Sequence, residues 1–292
     1  MNLLKTIVLV GLLSLGQMLL AQESADFPLK KINDHFFFKA QSSQGDSLLI
    51  MLESGLPAFL ANRDFYDQNR AVLHFDSSES KIRLLNELYN ISFVAKGVVP
   101  VGNAVYDGPI FVLEDFVGYR MPIQFLRLPS DTNALLLVDL PNSQLSVLPQ
   151  SVANSFSGTS YPLEMDQKVG FPVVEDTIRV LTDSGNFTLQ GRLIVDFGCP
   201  MLLFLRKQHS SVVNAMDQGT LVLQDAYNAQ GVAISQGFIA SGLSFLGRYF
   251  QGMTIGVTDR MSALNHLGFL GIPFFDAPVL FDFKRQTMTI LK

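Results

Sequence analysis

Apolar residues along this chain fall in short runs and alternations rather than at helical spacing. HFFFKAQ (35–41) and DSLLIML (46–52), separated by SSQG, predict two strands around a turn. DTIRVLT (176–182) and FTLQGRLIV (187–195), separated by DSGN, predict a second hairpin of the same plan. In each, the second strand runs straight into an acid and then a glycine: ESGLPAFL (53–60) after the first, DFGCPMLL (196–203) after the other. Further along, LVDLPNSQLSVL (137–148) and LFDFKRQTMTIL (280–291) align without a gap. Both read aliphatic, Asp, apolar, a polar turn, then an alternating strand.

Spacing ties these pieces together. Glu53 precedes Asp139 by 86 residues and Asp196 precedes Asp282 by 86, so both ends of the unit recur at an offset of 143. Pro57 and Pro200 keep that offset, as do Tyr106 in GNAVYDG and Tyr249 in LGRYFQG. A fixed period with separated anchors predicts an internal duplication. The expected fold is all-β, with two similar lobes over 22–150 and 151–292. The seam falls near Pro149 and the Ser-rich SVANSFSGTSYP (151–162). The 24 Phe, 22 Gly and 13 Pro suit many short strands joined by turns.

Before the first strand, MNLLKTIVLVGLLSLGQMLLAQ carries one Lys, an apolar run and a small residue at Ala21. This reads as a secretory signal over 1–21, so the expected location is secreted or periplasmic. The run is short and broken by Gly11 and Gly16, and no second segment is long enough to span a bilayer, so no membrane association is expected after removal of the signal. Beyond the signal stand 20 basic and 26 acidic residues with no basic run, which speaks against nucleic acid as a partner. The single Cys199 forms no internal disulfide and, in its apolar setting, reads as a small buried hydrophobe. Roughly 270 mature residues must therefore be held by their core alone.

Two lobes related by an approximate two-fold axis would bring Glu53 and Asp196 face to face across the seam. Close carboxylates share a proton, one serving as base toward a water and the other as acid toward a carbonyl oxygen. Such a pair hydrolyses amides with no cofactor and no metal. The bland alternative is that each acid caps its own surface turn.

This constellation resembles the pepsin-like and retropepsin-like aspartic proteases, whose lobes each carry an apolar strand, Asp-Thr/Ser-Gly and a later apolar-apolar-Gly segment. The matching residues are LIML-Glu53-Ser54-Gly55, LIV-Asp196-Phe197-Gly198, and GFLGIPFF (268–275) with Gly271 at the family's glycine. The resemblance covers about 30–292. It implies two β-barrel-like lobes, a substrate cleft between them, and a hairpin flap for which GVVPVGNAVYDG (97–108) with Tyr106 is the candidate. It makes Glu53 and Asp196 the catalytic pair, with Ser54, Gly55, Gly198 and Gly271 supporting them. Three departures stand out. Glu53 replaces Asp, Phe197 replaces the hydroxyl residue, and LRLPS (126–130) puts Leu128 where the first lobe's glycine is expected. If Tyr106 is not a flap residue, its recurrence as Tyr249 marks a shared core position.

Other signals are weaker. Asp183-Ser184-Gly185 copies the family triplet more closely than either candidate, yet sits in a hairpin turn whose chemistry explains it. His35, His74, His209 and His266 show no zinc spacing and read as surface or satisfied side chains. Asn90 and Asn186 begin sequons of high chance frequency. Three readings remain open: an aspartic-type peptidase acting on peptides or unfolded proteins, a noncatalytic bilobed protein holding a peptide or protein partner in its cleft, and an unrelated secreted structural β-domain. Oligomeric state is open, as is whether 22–34 is processed or forms an added strand.

Overall fold

The computed structural model describes residues 24–32, 34–41, 47–55, 59–71, 73–84, 87–101, 104–114, 122–124, 134–166, 170–227, 233–259 and 265–292. The predicted signal, Pro57 and LRLPS (126–130) lie outside them. The first half comprises β1 (Ala25–Ile32), β2 (His35–Gln41), β3 (Ser47–Glu53), β4 (Phe59–Ala61), helix α1 (Arg63–Asn69), β5 (Phe75–Ser77), β6 (Lys81–Leu84), β7 (Glu87–Val101), β8 (Ala104–Leu113), β9 (Pro122–Gln124), β10 (Ala134–Asp139) and β11 (Gln144–Pro149). The second comprises β12 (Gly158–Pro162), β13 (Glu164–Met165), β14 (Pro172–Thr182), β15 (Gly185–Val195), β16 (Leu203–Arg206), helix α2 (Ser210–Asp217), β17 (Gln224–Tyr227), β18 (Ala233–Phe245), β19 (Arg248–Thr258), β20 (Gly268–Leu270), β21 (Val279–Asp282) and β22 (Thr287–Leu291).

Nine strands form one sheet in the order β12-β22-β21-β10-β11-β1-β2-β3-β9. Eight form another in the order β13-β14-β15-β20-β16-β19-β18-β17, which the pairing of β14 with β18 closes into a barrel. A third sheet runs β4-β8-β7-β5, with β6 against β7. Strand patterns follow burial. Along β14, Ile178 and Val180 point inward while Glu175, Thr177 and Arg179 are exposed, the period-2 signature of a half-covered strand. In β10 the run ALLL is buried or nearly so because both faces are covered. Leu136 joins the main core and Leu135 packs with Ala153 and Leu280. That main core is one apolar cluster running from Phe27 and Ile50 to Phe281 and Met288, through both halves of the chain.

The 143-residue offset has a structural counterpart at the centre of the nine-stranded sheet. β10 pairs antiparallel with β21, and there Leu137 lies opposite Leu280. At the end of each strand an Asp side chain closes the following turn. The Asn142 N–H donates to Asp139 Oδ1 at 3.0 Å and the Arg285 N–H donates to Asp282 Oδ1 at 2.9 Å. Ser143 (φ 54°) and Gln286 (φ 53°) then take the same left-handed backbone conformation, uncommon for residues other than glycine.

The N-terminal stretch is a strand of this sheet: β1 lies between β11 and β2. The second hairpin is longer than the sequence pattern predicts. β14 begins at Pro172 because Pro172 and Val173 pair with β13 and the strand pairs with β15 from Val173 onward.

Candidate functional site

Both acids leave strands held on two sides. β3 is antiparallel to β2 and parallel to β9, with Glu53 in register with Gln124. β15 is antiparallel to β14 and parallel to β20, and the Asp196 N–H donates to the Leu270 carbonyl at 2.9 Å. A side chain at the end of such a strand has little freedom in where its Cβ sits.

The turns after the strands fold back on their own acids. Glu53 Oε1 accepts the N–H groups of Ser54 (2.8 Å) and Gly55 (2.7 Å), and Asp196 Oδ1 accepts that of Gly198 (2.8 Å). The two turns also interlock. A Cβ on Gly55 would lie 2.8 Å from the Asp196 carboxyl carbon, and one on Gly198 would lie 1.8 Å from Glu53 Oε2. Each glycine is thus the surface against which the other turn's carboxyl rests, which explains why both positions lack a side chain. Glu53 and Asp196, expected to meet, are brought close enough by this interlock for each to act on the other's ionisation.

Their surroundings divide the labour. Glu53 is 7% exposed, whereas Asp196 is more open. Burial pushes the Glu53 carboxyl well above the usual carboxylate range, the Asp196 charge and the bond to Asp196 push it further, and the Gly55 and Ser54 N–H groups oppose this. Burial raises Asp196 too, but there the hydrogen bond from Glu53, the N–H groups of Gly198 and Cys199, and the charge of His35 pull it down. Burial thus favours the protonated form at both positions, and the two carboxyls titrate as one coupled pair.

Ser54 locks the turns together. Its side chain is fully buried, its hydroxyl donates to the Val195 carbonyl at 2.7 Å, and the same oxygen accepts the Phe197 N–H at 3.0 Å. Phe197 stands 143 residues from Ser54 and offers no hydroxyl in return. Its ring is fully buried, 4.4 Å from Phe275 and 5.9 Å from Phe281, centroid to centroid. Gly271 follows β20 where the chain passes under the Asp196 turn. A Cβ there would lie 2.1 Å from the Met201 carbonyl oxygen and 2.4 Å from that of Cys199. Cys199 is buried, with its thiol pushed far up by burial.

In the first half the constant offset misplaces the partner of Gly271. Val195 pairs with Leu270 and Leu52 pairs with Ile123, so the position corresponding to Gly271 is Gln124 rather than Leu128. Tyr106 lies in β8 opposite Val99, on the hairpin proposed as the flap; its side chain is outside the described residues. Tyr249 fills no core position, being 60% exposed on the β18–β19 hairpin. It lines a solvent-open trough of about 780 Å³ with Arg179, Phe187 and Gln218, which includes neither acid. Asp183 is exposed at a hairpin tip.

The histidines divide. His74 is exposed beside Asp76, and His209 caps α2 by accepting the Ser211 N–H. His266 is 4% exposed and lies 3.2 Å from Asp166, so burial rather than the surface is its setting. Burial holds its pKa low against the pull of Asp166. His35, read from sequence as unremarkable, acts electrostatically on Asp196. Among the described residues, no group of three or more His, Cys, Asp or Glu side chains converges, and no helix is long and apolar enough to cross a membrane.

No protein-family model matches the chain, and no curated protein matches it. Among solved structures it is similar to the crystal structure of an aspartic proteinase from Irpex lacteus, with a TM-score of 0.58 at 11% sequence identity, over 92% of this chain and 98% of that one. The fold is thus predominantly β and of the pepsin-like aspartic-protease type. The motif resemblance and the structural likeness agree at that level.

Proposed function

We propose that this protein is an aspartic-type peptidase in which Glu53 and Asp196 form the catalytic pair, in a secreted or periplasmic chain built of two duplicated lobes, 22–150 and 151–292. The observation that carries the reading is the interlocking of the two acid-bearing turns, in which each carboxyl rests against the other turn's glycine, Glu53 buried and Asp196 more open. Ionised Asp196 takes a proton from a water as its oxygen attacks the peptide carbonyl carbon. Glu53 gives its proton to the carbonyl oxygen, yielding a tetrahedral diol. Asp196 then passes the proton it took to the amide nitrogen, while Glu53 recovers a proton from a diol hydroxyl as the C–N bond breaks. The pair returns to its starting state without any other group.

Duplication is supported by the Leu137–Leu280 pairing and by the Ser54–Phe197 hydrogen bond, each joining residues 143 apart. Both are what a two-fold axis between repeats produces. Substrate on this reading is an extended peptide or unfolded segment.

A second reading, a noncatalytic cleft that holds a peptide, is favoured by the one-sided lock: Ser54 bridges the turns and Phe197 contributes no hydroxyl. One experiment separates the two. Purified protein is assayed on a mixed peptide library from about pH 3 to pH 8, beside D196N. Cleavage by wild type, greatest at acidic pH, unaffected by chelators and absent in D196N, supports the peptidase. Cleavage that survives in D196N refutes the assignment, and peptide binding without cleavage at any pH supports the second reading.

A further inference from the structure

The solvent-open trough of about 780 Å³ lies on the eight-stranded barrel, and its lining includes neither Glu53 nor Asp196. Its floor is one face of β15, β14, β18 and β19. Across these strands the register sets Thr188, Arg179, Ser244 and Tyr249 in one row, and Asn186, Leu181 and Gly242 in the next. Val180, Leu189 and Leu243 alternate with them along the strands and are buried in the main core, so the two rows stand on the opposite face. Helix α2 forms one wall. The Ser211 hydroxyl donates to the Gln190 carbonyl at 3.0 Å and ties the helix beside β15, which brings the exposed Asn214 and Gln218, four residues apart, to the rim. At the other side Tyr249, 60% exposed, leans across Gly242, where a Cβ would lie 2.7 Å from the tyrosine hydroxyl. The missing side chain lets the ring lie over the floor.

The lining selects the chemistry of an occupant. Arg179 is its one charged residue, and it forms no ion pair among the described residues. Around it stand amides and hydroxyls, which both give and take hydrogen bonds. A wholly apolar ligand would strip water from these groups without replacing their bonds. A polyanion such as nucleic acid would find a single cation there, in a chain of net charge −5. We propose that the trough binds a segment of acidic saccharide, with one uronic carboxylate held by the Arg179 guanidinium, a sugar ring face against Tyr249, and sugar hydroxyls bonded to the amides of Asn186, Asn214 and Gln218. The guanidinium fork matches a carboxylate with two parallel hydrogen bonds, and the tyrosine offers an apolar ring face with a polar tip. A segment rather than a free sugar fits because the trough is open to solvent and its volume lies in the upper part of the range of about 300–1,000 Å³ for small-ligand sites.

The test is titration calorimetry of the purified protein at neutral pH with four probes: a trisaccharide carrying one uronic acid, its neutral counterpart with the carboxyl reduced to an alcohol, glucuronic acid alone, and an acidic tripeptide. The uronic trisaccharide is expected to bind more tightly than the other three. R179Q is expected to lower its affinity about tenfold to a hundredfold, as for a lost hydrogen bond to a charged group, and to leave binding of the neutral counterpart unchanged. R179K, which keeps the charge without the fork, is expected to recover part of the loss. Y249A is expected to weaken both trisaccharides. No binding of the uronic trisaccharide overturns the proposal, as does binding unmoved in both R179Q and Y249A of native circular dichroism. Tighter binding of the tripeptide, lost in R179Q, overturns it in favour of a protein ligand, and equal affinity for glucuronic acid alone overturns it in favour of a free sugar. Binding that D196N abolishes and R179Q leaves intact overturns it by placing the sugar at the acid pair. None of these outcomes depends on whether that pair cleaves peptides.

Discussion

The turns Glu53-Ser54-Gly55 and Asp196-Phe197-Gly198 do the same backbone work with different side chains. Each ends a strand flanked on both sides, each gives a glycine N–H to its own acid, and each uses that glycine as a floor for the other acid. They part at the middle residue. Ser54 reaches across to the opposite backbone with two hydrogen bonds, while Phe197 turns away and sinks into a stack with Phe275 and Phe281. The junction is a hydrogen-bonded lock on one side and a packed anchor on the other. A turn can be held in place by a buried hydroxyl bridge or by a buried ring, and the two differ in what they cost to remove.

The sharpest way to break the comparison is at the glycines. A Cβ at position 198 would overlap Glu53 Oε2 at 1.8 Å, so in G198A the Glu53 carboxyl must leave its place beside Asp196. On the peptidase reading, general acid–base catalysis contributes about 10²–10⁴-fold, and G198A is expected to lose that whole factor in kcat/KM. In G55A the added methyl meets Asp196 at 2.8 Å, so a smaller displacement suffices and the loss is expected to be smaller. Equal effects would show that the two turns do not support the pair in the way described.

Next in size are the two locks. F197A empties a fully buried site in the stacked cluster, and such truncations cost about 3–5 kcal/mol. S54A removes the bridge and leaves the Val195 carbonyl and the Phe197 N–H buried without it, which costs about 1–3 kcal/mol. Urea unfolding of both variants measures the difference directly. If S54A proved the more damaging, the hydroxyl and not the ring would be the main hold on the turns.

Much of this was legible in the sequence, and the parts that were not share a cause. The acids, their glycines and the paired turns at Asp139 and Asp282 were readable because each is a local pattern with a polar residue or glycine marking its end. The misplaced partner of Gly271 was not, because IQFLRLP offers several apolar registers against β3 and no turn residue chooses between them; the ladder selects Ile123 and Gln124. Tyr249 repeats Tyr106 in sequence yet is exposed, since position in a repeat fixes the backbone and not what packs over the side chain.

A smaller and more diagnostic effect concerns pH. The folded state holds the Glu53 proton more tightly than the unfolded chain does, so between the ordinary glutamate value of about 4.3 and the raised folded value it binds more protons. Stability contributed by protonated Glu53 is then fully present below that window and is lost as pH rises through it. Asp196, also raised, adds to the same slope. E53Q keeps the shape and removes the titration, so thermal unfolding of E53Q is expected to depend on pH less steeply than that of wild type. A wild-type Tm that rises across this window would mean that the pair is not buried as one proton-sharing unit.

The smallest expected effect sharpens the comparison from outside it. Asp183-Ser184-Gly185 looks more like the family triplet than either Glu53-Ser54-Gly55 or Asp196-Phe197-Gly198, yet Asp183 is exposed at the tip between β14 and β15, the Ser184 N–H donates to the Thr182 hydroxyl at 3.3 Å, and Gly185 takes φ 136° to make the turn. D183N is therefore expected to change stability by less than about 0.5 kcal/mol, the usual range for surface substitutions, and to leave the pH profile of any cleavage where it was. Loss of cleavage in D183N with cleavage retained in D196N would move the chemistry to the hairpin tip, and would show that the interlocking of Gly55 with Asp196 and of Gly198 with Glu53 serves only to join the two halves of the chain.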